Sequence, residues 1–170
     1  MTTRLLLISD THVPLRARRL PDAVWHAVDA ADVVVHAGDW VDEATLDALE
    51  SRAARLIGVY GNNDGAGLRA RLPEVATAQI EDLRVAVVHE TGAATGRERR
   101  MDAAFAGERR PDVLVFGHSH IPWDTVTPAG IRLLNPGSPT DRRRQPACTM
   151  MTATVDAAEV RDVALVEVPR

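Results

Sequence analysis

Asp10-Thr11-His12, Gly38-Asp39, Gly61-Asn62-Asn63-Asp64, a solitary His89 and Gly117-His118-Ser119-His120 are where this chain concentrates groups able to do chemistry. Carboxylate, imidazole and carboxamide in one set suit borderline divalent ions such as Mn2+, Fe2+, Zn2+ and Ni2+. Asp10, His12, Asp39, Asn62, His89, His118 and His120 offer more donors than one tetrahedral ion can use. They fit two ions that share a carboxylate. Such a pair, about 3.5–4 Å apart, can grip both oxygens of a phosphoryl group and lower the pKa of a bridging water. All 20 basic residues are arginine, which excludes lysine as nucleophile, Schiff-base former or phosphate anchor.

Each of these groups follows an apolar run of strand length. Leu5 to Ile8 leads into Asp10, Val33-Val34-Val35 into His36-Ala37-Gly38-Asp39, and Leu56 to Tyr60 into Gly61. Leu83 to Val88 leads into His89, and Val113 to Phe116 into Gly117. Short continuous apolar runs are the pattern of buried parallel strands. Ligands of open α/β sheets bind at the carboxyl ends of such strands. Neighbouring strands lie about 4.8 Å apart, so these side chains can converge.

The spacing predicts helices over 21–30, 42–51 and 97–106 between the strands. Thr77 to Ile80 pairs with 83–88 through a tight Glu81-Asp82 turn, and Pro128-Ala129-Gly130 joins 123–127 to 131–134 as a hairpin. Further strands fall near 147–154 and 159–168. The fold class is α/β, with a mixed sheet or two stacked sheets under outer helices. No repeat, linker or low-complexity segment interrupts the 170 residues, so 1–170 reads as one domain.

Composition narrows the function. The net charge of −4 argues against a general nucleic-acid binder, and an aromatic content of 4% is too low for a base-stacking platform along single strands. Cys148 is the only cysteine, so no internal disulfide calls for an oxidising compartment. The four apolar residues before Ser9 are too few for a signal peptide or a membrane span. The chain reads as cytoplasmic, without a membrane partner.

Taken in order, Asp-x-His, Gly-Asp, Gly-Asn-x-Asp, a lone His and Gly-His-x-His resemble the calcineurin-like metallophosphoesterase superfamily. Asn135-Pro136-Gly137-Ser138 resembles its small single-domain phosphodiesterase branch from bacteria and archaea. The resemblance implies a four-layer αββα sandwich, two mixed β-sheets flanked by helices. It implies Asp10, His12 and His120 as ligands of a first metal, and Asn62, His89 and His118 as ligands of a second. Asp39 takes the position of the bridging carboxylate. Two divalent ions per chain are implied, Mn2+ foremost, with Ni2+, Zn2+ or Fe2+ as substitutes. The implied reaction is in-line attack on a phosphate ester, most simply a diester, by a hydroxide bridging the metals. Asp39, Asn62, Asn63 and His118 are the implied catalytic residues. The expected partner is a small phosphoester, not long duplex DNA, and the resemblance implies a homodimer or homotetramer. A phosphomonoesterase or nucleotidase with the same metals is the alternative. A non-catalytic scaffold like the eukaryotic retromer subunit is another, disfavoured because all seven ligand-type positions are filled.

The sequence departs from the family pattern at two positions. Many members carry histidine directly after the motif asparagine; here Asn63 can donate a hydrogen bond to phosphate but no proton at neutral pH. That predicts a preference for good leaving groups. Glycine often follows the lone histidine, where this chain has Glu90, either a partner of His89 or a solvated carboxylate.

Several other residues are expected to support the site or stand clear of it. His36 is expected buried beside the site, and Asp64 is expected to hold its loop. His26 is expected at the surface or in packing, and Cys148 buried. The arginine runs 97–100, 109–110 and 142–144 read as solvated faces or ion-pair partners. Arg142 and Arg143, close after Ser138, are candidates for a substrate contact, since guanidinium binds phosphate in a fork.

Overall fold

The computed structural model describes residues 1–169. In chain order the elements are β1 (Thr2–Ile8), α1 (Asp22–Ala30), β2 (Val33–His36), α2 (Glu43–Arg52), β3 (Leu56–Gly58), α3 (Ala66–Arg71), β4 (Val75–Ile80) and β5 (Leu83–Val88). They continue with α4 (Arg97–Ala104), a 3-10 turn at Gly107–Arg109, β6 (Val113–Val115), β7 (Trp123–Val126), β8 (Arg132–Asn135), β9 (Cys148–Asp156) and β10 (Glu159–Val168). Two five-stranded sheets result, in the orders β10-β9-β1-β2-β3 and β4-β5-β6-β8-β7. Both are mixed. β1, β2 and β3 are parallel, as are β5, β6 and β8, while β4, β7, β9 and β10 pair antiparallel to their neighbours.

Alternation along the strands builds three apolar layers. Leu5, Leu7, Val33 and Val35 of the first sheet meet Val85, Val87, Val113 and Val115 of the second across the centre. On the outer face of the first sheet, Leu6, Ile8 and Val34 pack against Val24 and Val28 of α1 and Leu46 and Leu49 of α2. On the outer face of the second, Ala86, Val88, Leu114 and Leu133 pack against Met101 of α4. The architecture is thus the four-layer αββα sandwich. β1, β2, β5 and β6 are apolar on both faces because each is covered on both, which explains their continuous apolar runs.

Local signals set the helix boundaries. Asp42 caps α2, its carboxylate accepting from the Thr45 N–H at 3.0 Å. Three readings need correction. The third strand stops at Gly58, two residues short of Tyr60; Val59 N still donates to His36 O, but Tyr60 N turns away to Pro73 O at 3.1 Å. Helix α3 follows that loop, where Gly65-Ala66-Gly67 gave no helical signal. The run at 97–100 is not a solvated face throughout. Arg97 is buried, its guanidinium between the rings of Phe116 (4.8 Å) and Trp123 (4.4 Å) and bonded to Thr91 Oγ1 at 2.9 Å. Among the described residues no helix is long and apolar enough to cross a membrane.

Candidate metal centre

The carboxyl ends of β1, β2 and β3 from one sheet, and of β5 and β6 from the other, open toward the same end of the sandwich. Asp10, His12, Asp39, His118 and His120 all adopt positive φ, between 44° and 70°. Such conformations cost of order 1–3 kcal/mol each and persist where surrounding bonds over-determine them. Those bonds are present. Asp10 N donates to Gly38 O (2.9 Å) and His12 N to Asp39 O (3.1 Å), lacing the first two loops together. Ser138 Oγ donates to Asp10 O (2.7 Å) and Thr140 Oγ1 to Thr11 O (2.7 Å), so the segment after Asn135 closes the back of the site. Glycine is required where loops touch. A Cβ on Gly61 would run into the Asp39 carboxylate, and one on Gly117 into Ser9 Oγ.

All seven ligand-type residues converge. Asp10, His12 and His120 form one group of mutually close donor atoms, and Asp10, Asp39 and His89 another. His12 Nε2 lies 3.2 Å from His120 Nε2 and 3.7 Å from Asp10 Oδ1. Asp39 Oδ2 lies 3.6 Å from His12 Nε2 and 3.4 Å from His89 Nε2, between the two groups. Asn62 Oδ1 lies 2.9 Å from both His89 Nε2 and His118 Nδ1.

These donors fit a cation on chemical grounds. Asp10 Oδ2 accepts from Ser9 Oγ (2.7 Å) and His118 N (2.9 Å), but Asp10 Oδ1 is buried with no hydrogen-bond partner. An orphaned buried carboxylate oxygen is costly unless something positive meets it. The imidazoles are turned to help. His89 Nδ1 donates to Ala37 O and His120 Nδ1 to Asp141 O, each at 2.7 Å. In the neutral rings this leaves both Nε2 lone pairs facing inward, the tautomer a metal ligand needs.

The charges agree. Burial opposes ionisation of Asp10, yet His12, His120 and His89 hold its carboxyl below the usual carboxylate range. For Asp39 burial is again overcome, by His89 and by the Asn63 backbone N–H. His89 is raised against its own burial by Asp39 and Asp10.

Supporting residues complete the site. Asp64 accepts from Gly61 N (2.7 Å), Val41 N (2.7 Å) and Asp39 N (3.0 Å), tying the β2 and β3 loops into one unit. Burial lifts its carboxyl against those bonds. His36 is buried and stacked on Trp40 at 3.5 Å between centroids; its Nδ1 accepts from Gly38 N (3.2 Å) and its Nε2 faces Thr11 Oγ1 (3.0 Å). Burial pulls its pKa down to about 3, despite Asp10, so it is a neutral brace. Sequence reasoning missed Ser9, which bonds its neighbour Asp10, and Ser138, Thr140 and Asp141, whose partners are distant in the chain.

The candidate substrate residues divide. Asn63 Nδ2 donates to Asp39 Oδ2 (2.7 Å) and its backbone N–H to Asp39 Oδ1 (2.9 Å), so it grips the central carboxylate. Glu90 Oε1 stands 3.8 Å from His118 Nε2 at the mouth, facing that ring instead of His89. Arg143 Nη1 reaches His118 O at 3.4 Å, on the rim. Arg142 Nη1 turns back to Gln145 O at 2.7 Å, away from the site.

Known proteins resemble this chain. A probable metallophosphoesterase of Methanocaldococcus jannaschii is 33% identical over 95% of this chain and 81% of its own length. A second protein of that organism, named a phosphodiesterase, is 24% identical over 67% of this chain and 71% of its own. The solution structure of a Thermotoga maritima protein superposes with a TM-score of 0.76 at 35% identity, covering 98% of this chain and 99% of the other. Vacuolar protein sorting 29 of Cryptosporidium parvum shares the fold, with a TM-score of 0.79 at 21% identity and 99% of both chains covered. The sequence model of the calcineurin-like phosphoesterase superfamily domain matches residues 3–158. With that match covering every strand but β10 and every strand-end donor, the chain belongs to the calcineurin-like phosphoesterase superfamily.

Proposed function

We propose that this protein is a metal-dependent phosphodiesterase whose centre takes two divalent ions, Mn2+ first among Ni2+, Zn2+ and Fe2+. The observation that carries the reading is Asp39 Oδ2, placed between His12 Nε2 and His89 Nε2, beside the partnerless Oδ1 of Asp10. Asp10, His12 and His120 would hold one ion, Asn62, His89 and His118 the other, and Asp39 both. Ions bound there would neutralise phosphate charge and lower the pKa of a water. The chain's residues orient everything else.

Two contacts favour diesters with good leaving groups. Glu90, negative and at the mouth, repels the second charge of a monoester more than the single charge of a diester. Asn63, held on Asp39, brings no proton to a departing alkoxide. The relative named a phosphodiesterase is consistent with this substrate class.

The test is hydrolysis of bis(p-nitrophenyl) phosphate and p-nitrophenyl phosphate by protein loaded with each metal. Metal-dependent turnover of the diester over the monoester is expected. The reverse preference would assign a monoesterase, and inertness to both would point to a scaffold.

A further inference from the structure

The two outer faces of the sandwich are unequally covered, and the gap leads to the metal centre. Val75, Thr77 and Gln79 of β4 pair with Val88, Ala86 and Arg84 of β5 on the outer face of the second sheet. Met101 of helix α4 and Phe105 just after it cover β5, but Val75, Thr77 and Gln79 stay exposed. The result is a cleft of about 990 Å3 between α4 and edge strand β4. That is the upper end of the range of about 300–1000 Å3 typical of small-molecule sites, and far more than a phosphate group needs.

One end of the cleft is lined by Asn62 and His89 themselves. Following β5 back from His89 to Arg84 gives a path of roughly 17 Å. Its floor is apolar, with Val88, Met101 and Phe105. Beside Asn62 stands a planar pair. The Arg69 guanidinium lies 4.5 Å over the Tyr60 ring and is fixed by Asp64 O (2.7 Å) and Gly61 O (3.3 Å). A guanidinium stacked on one side and held by carbonyls at its edge presents its other face to a flat ring.

We propose that this cleft binds the retained alcohol of the diester substrate, and that this alcohol is a nucleoside. The proposal rests on the phosphodiesterase reading. The phosphate occupies the centre, the base stacks against the Arg69–Tyr60 pair, and the remainder lies along the floor toward Arg84. One planar pair serves one base, in keeping with a chain too poor in aromatics to track a long single strand.

The experiment compares two esters with the same leaving group, thymidine 5′-(p-nitrophenyl phosphate) and methyl p-nitrophenyl phosphate, on the metal-loaded protein. kcat/KM should favour the thymidine ester by about 10-fold or more, the gain expected of one stacked base. Thr77→Trp, an exposed strand position that accepts a large ring, should fill the cleft and abolish the preference, leaving the methyl ester within about 2-fold of wild type. Ala104→Trp, from the α4 wall, is the second variant should the first fail to fold.

Equal kcat/KM for the two esters, or a preference that survives the filling variants, overturns the proposal. Calorimetry with thymidine 5′-phosphate against methyl phosphate separates it from the reading beneath it. If neither ester is hydrolysed, yet the nucleotide binds more tightly and Thr77→Trp removes the difference, the cleft stands and the phosphodiesterase reading falls. If the two phosphates bind alike, the cleft assignment falls.

Discussion

The two sheets contribute different chemistry to one centre. The first supplies both carboxylates, Asp10 and Asp39, together with His12 and Asn62. The second supplies only imidazoles, His89, His118 and His120. Their supports differ to match. Carboxylates of the first sheet are held by donors, as where Asp39 accepts from Asn63 and Asp10 from Ser9 and His118. Two imidazoles of the second, His89 and His120, are held by acceptors, the carbonyls of Ala37 and Asp141. One side thus brings the carboxylates and the other brings ring nitrogens. Neither sheet holds a complete set, so the centre forms only when the apolar faces between them pack. That ties catalysis to the integrity of the central core.

The contrast ranks the consequences of mutation. Removing charge from the first sheet should do most harm. Asp39→Ala is expected to lower diester turnover by more than about 1000-fold, since each factor of ten is only about 1.4 kcal/mol of transition-state stabilisation. Elemental analysis should show metal content falling with it; unchanged activity would remove Asp39 from the centre. Removing one imidazole from the second sheet should cost less. His89→Ala is expected to lose about 100-fold, partly restored by added imidazole, because both carboxylates remain. A loss equal to that of Asp39→Ala would erase the distinction between the sheets.

Supports should matter less than donors. Asp64→Asn turns an amide N–H toward a backbone N–H and loosens the loops of Asp39 and Asn62. Metal affinity measured by competition with a chelating dye should fall about 10- to 100-fold, as for other groups that orient ligands. Asn63→His should speed alkyl esters by a factor of about 10, within the range of a general acid, and leave p-nitrophenyl esters nearly unchanged. No change with poor leaving groups would contradict the role given to Asn63. The smallest effect falls at the mouth. Glu90→Gln should shift the diester-to-monoester ratio of kcat/KM toward the monoester by about 3-fold, less at high salt, as expected for an exposed charge.

The same division explains what the sequence revealed. The seven donors were legible because each follows an apolar run at a strand's carboxyl end, and a local pattern suffices to find it. The partition of those strands between two sheets was not, since β1 and β5 look alike and only long-range pairing separates them. Ser138 and Asp141 were invisible as supports for the same reason. Their partners, Asp10 and His120, lie far away in the chain. Arg97 looked like part of a solvated run because nothing local announces Phe116 and Trp123 on either side of it. The open cleft beside β4 follows from β4 being an edge strand, which its own residues do not show.

The central claim is that both sheets jointly hold a pair of ions. Titrating metal-free protein with Mn2+ in a calorimeter, with elemental analysis of the saturated sample, tests it most directly. The account predicts about two ions per chain for wild type and loss of tight binding in Asp39→Ala, as a shared ligand requires. A protein that takes up no ion, or one whose uptake is indifferent to Asp39, would contradict it.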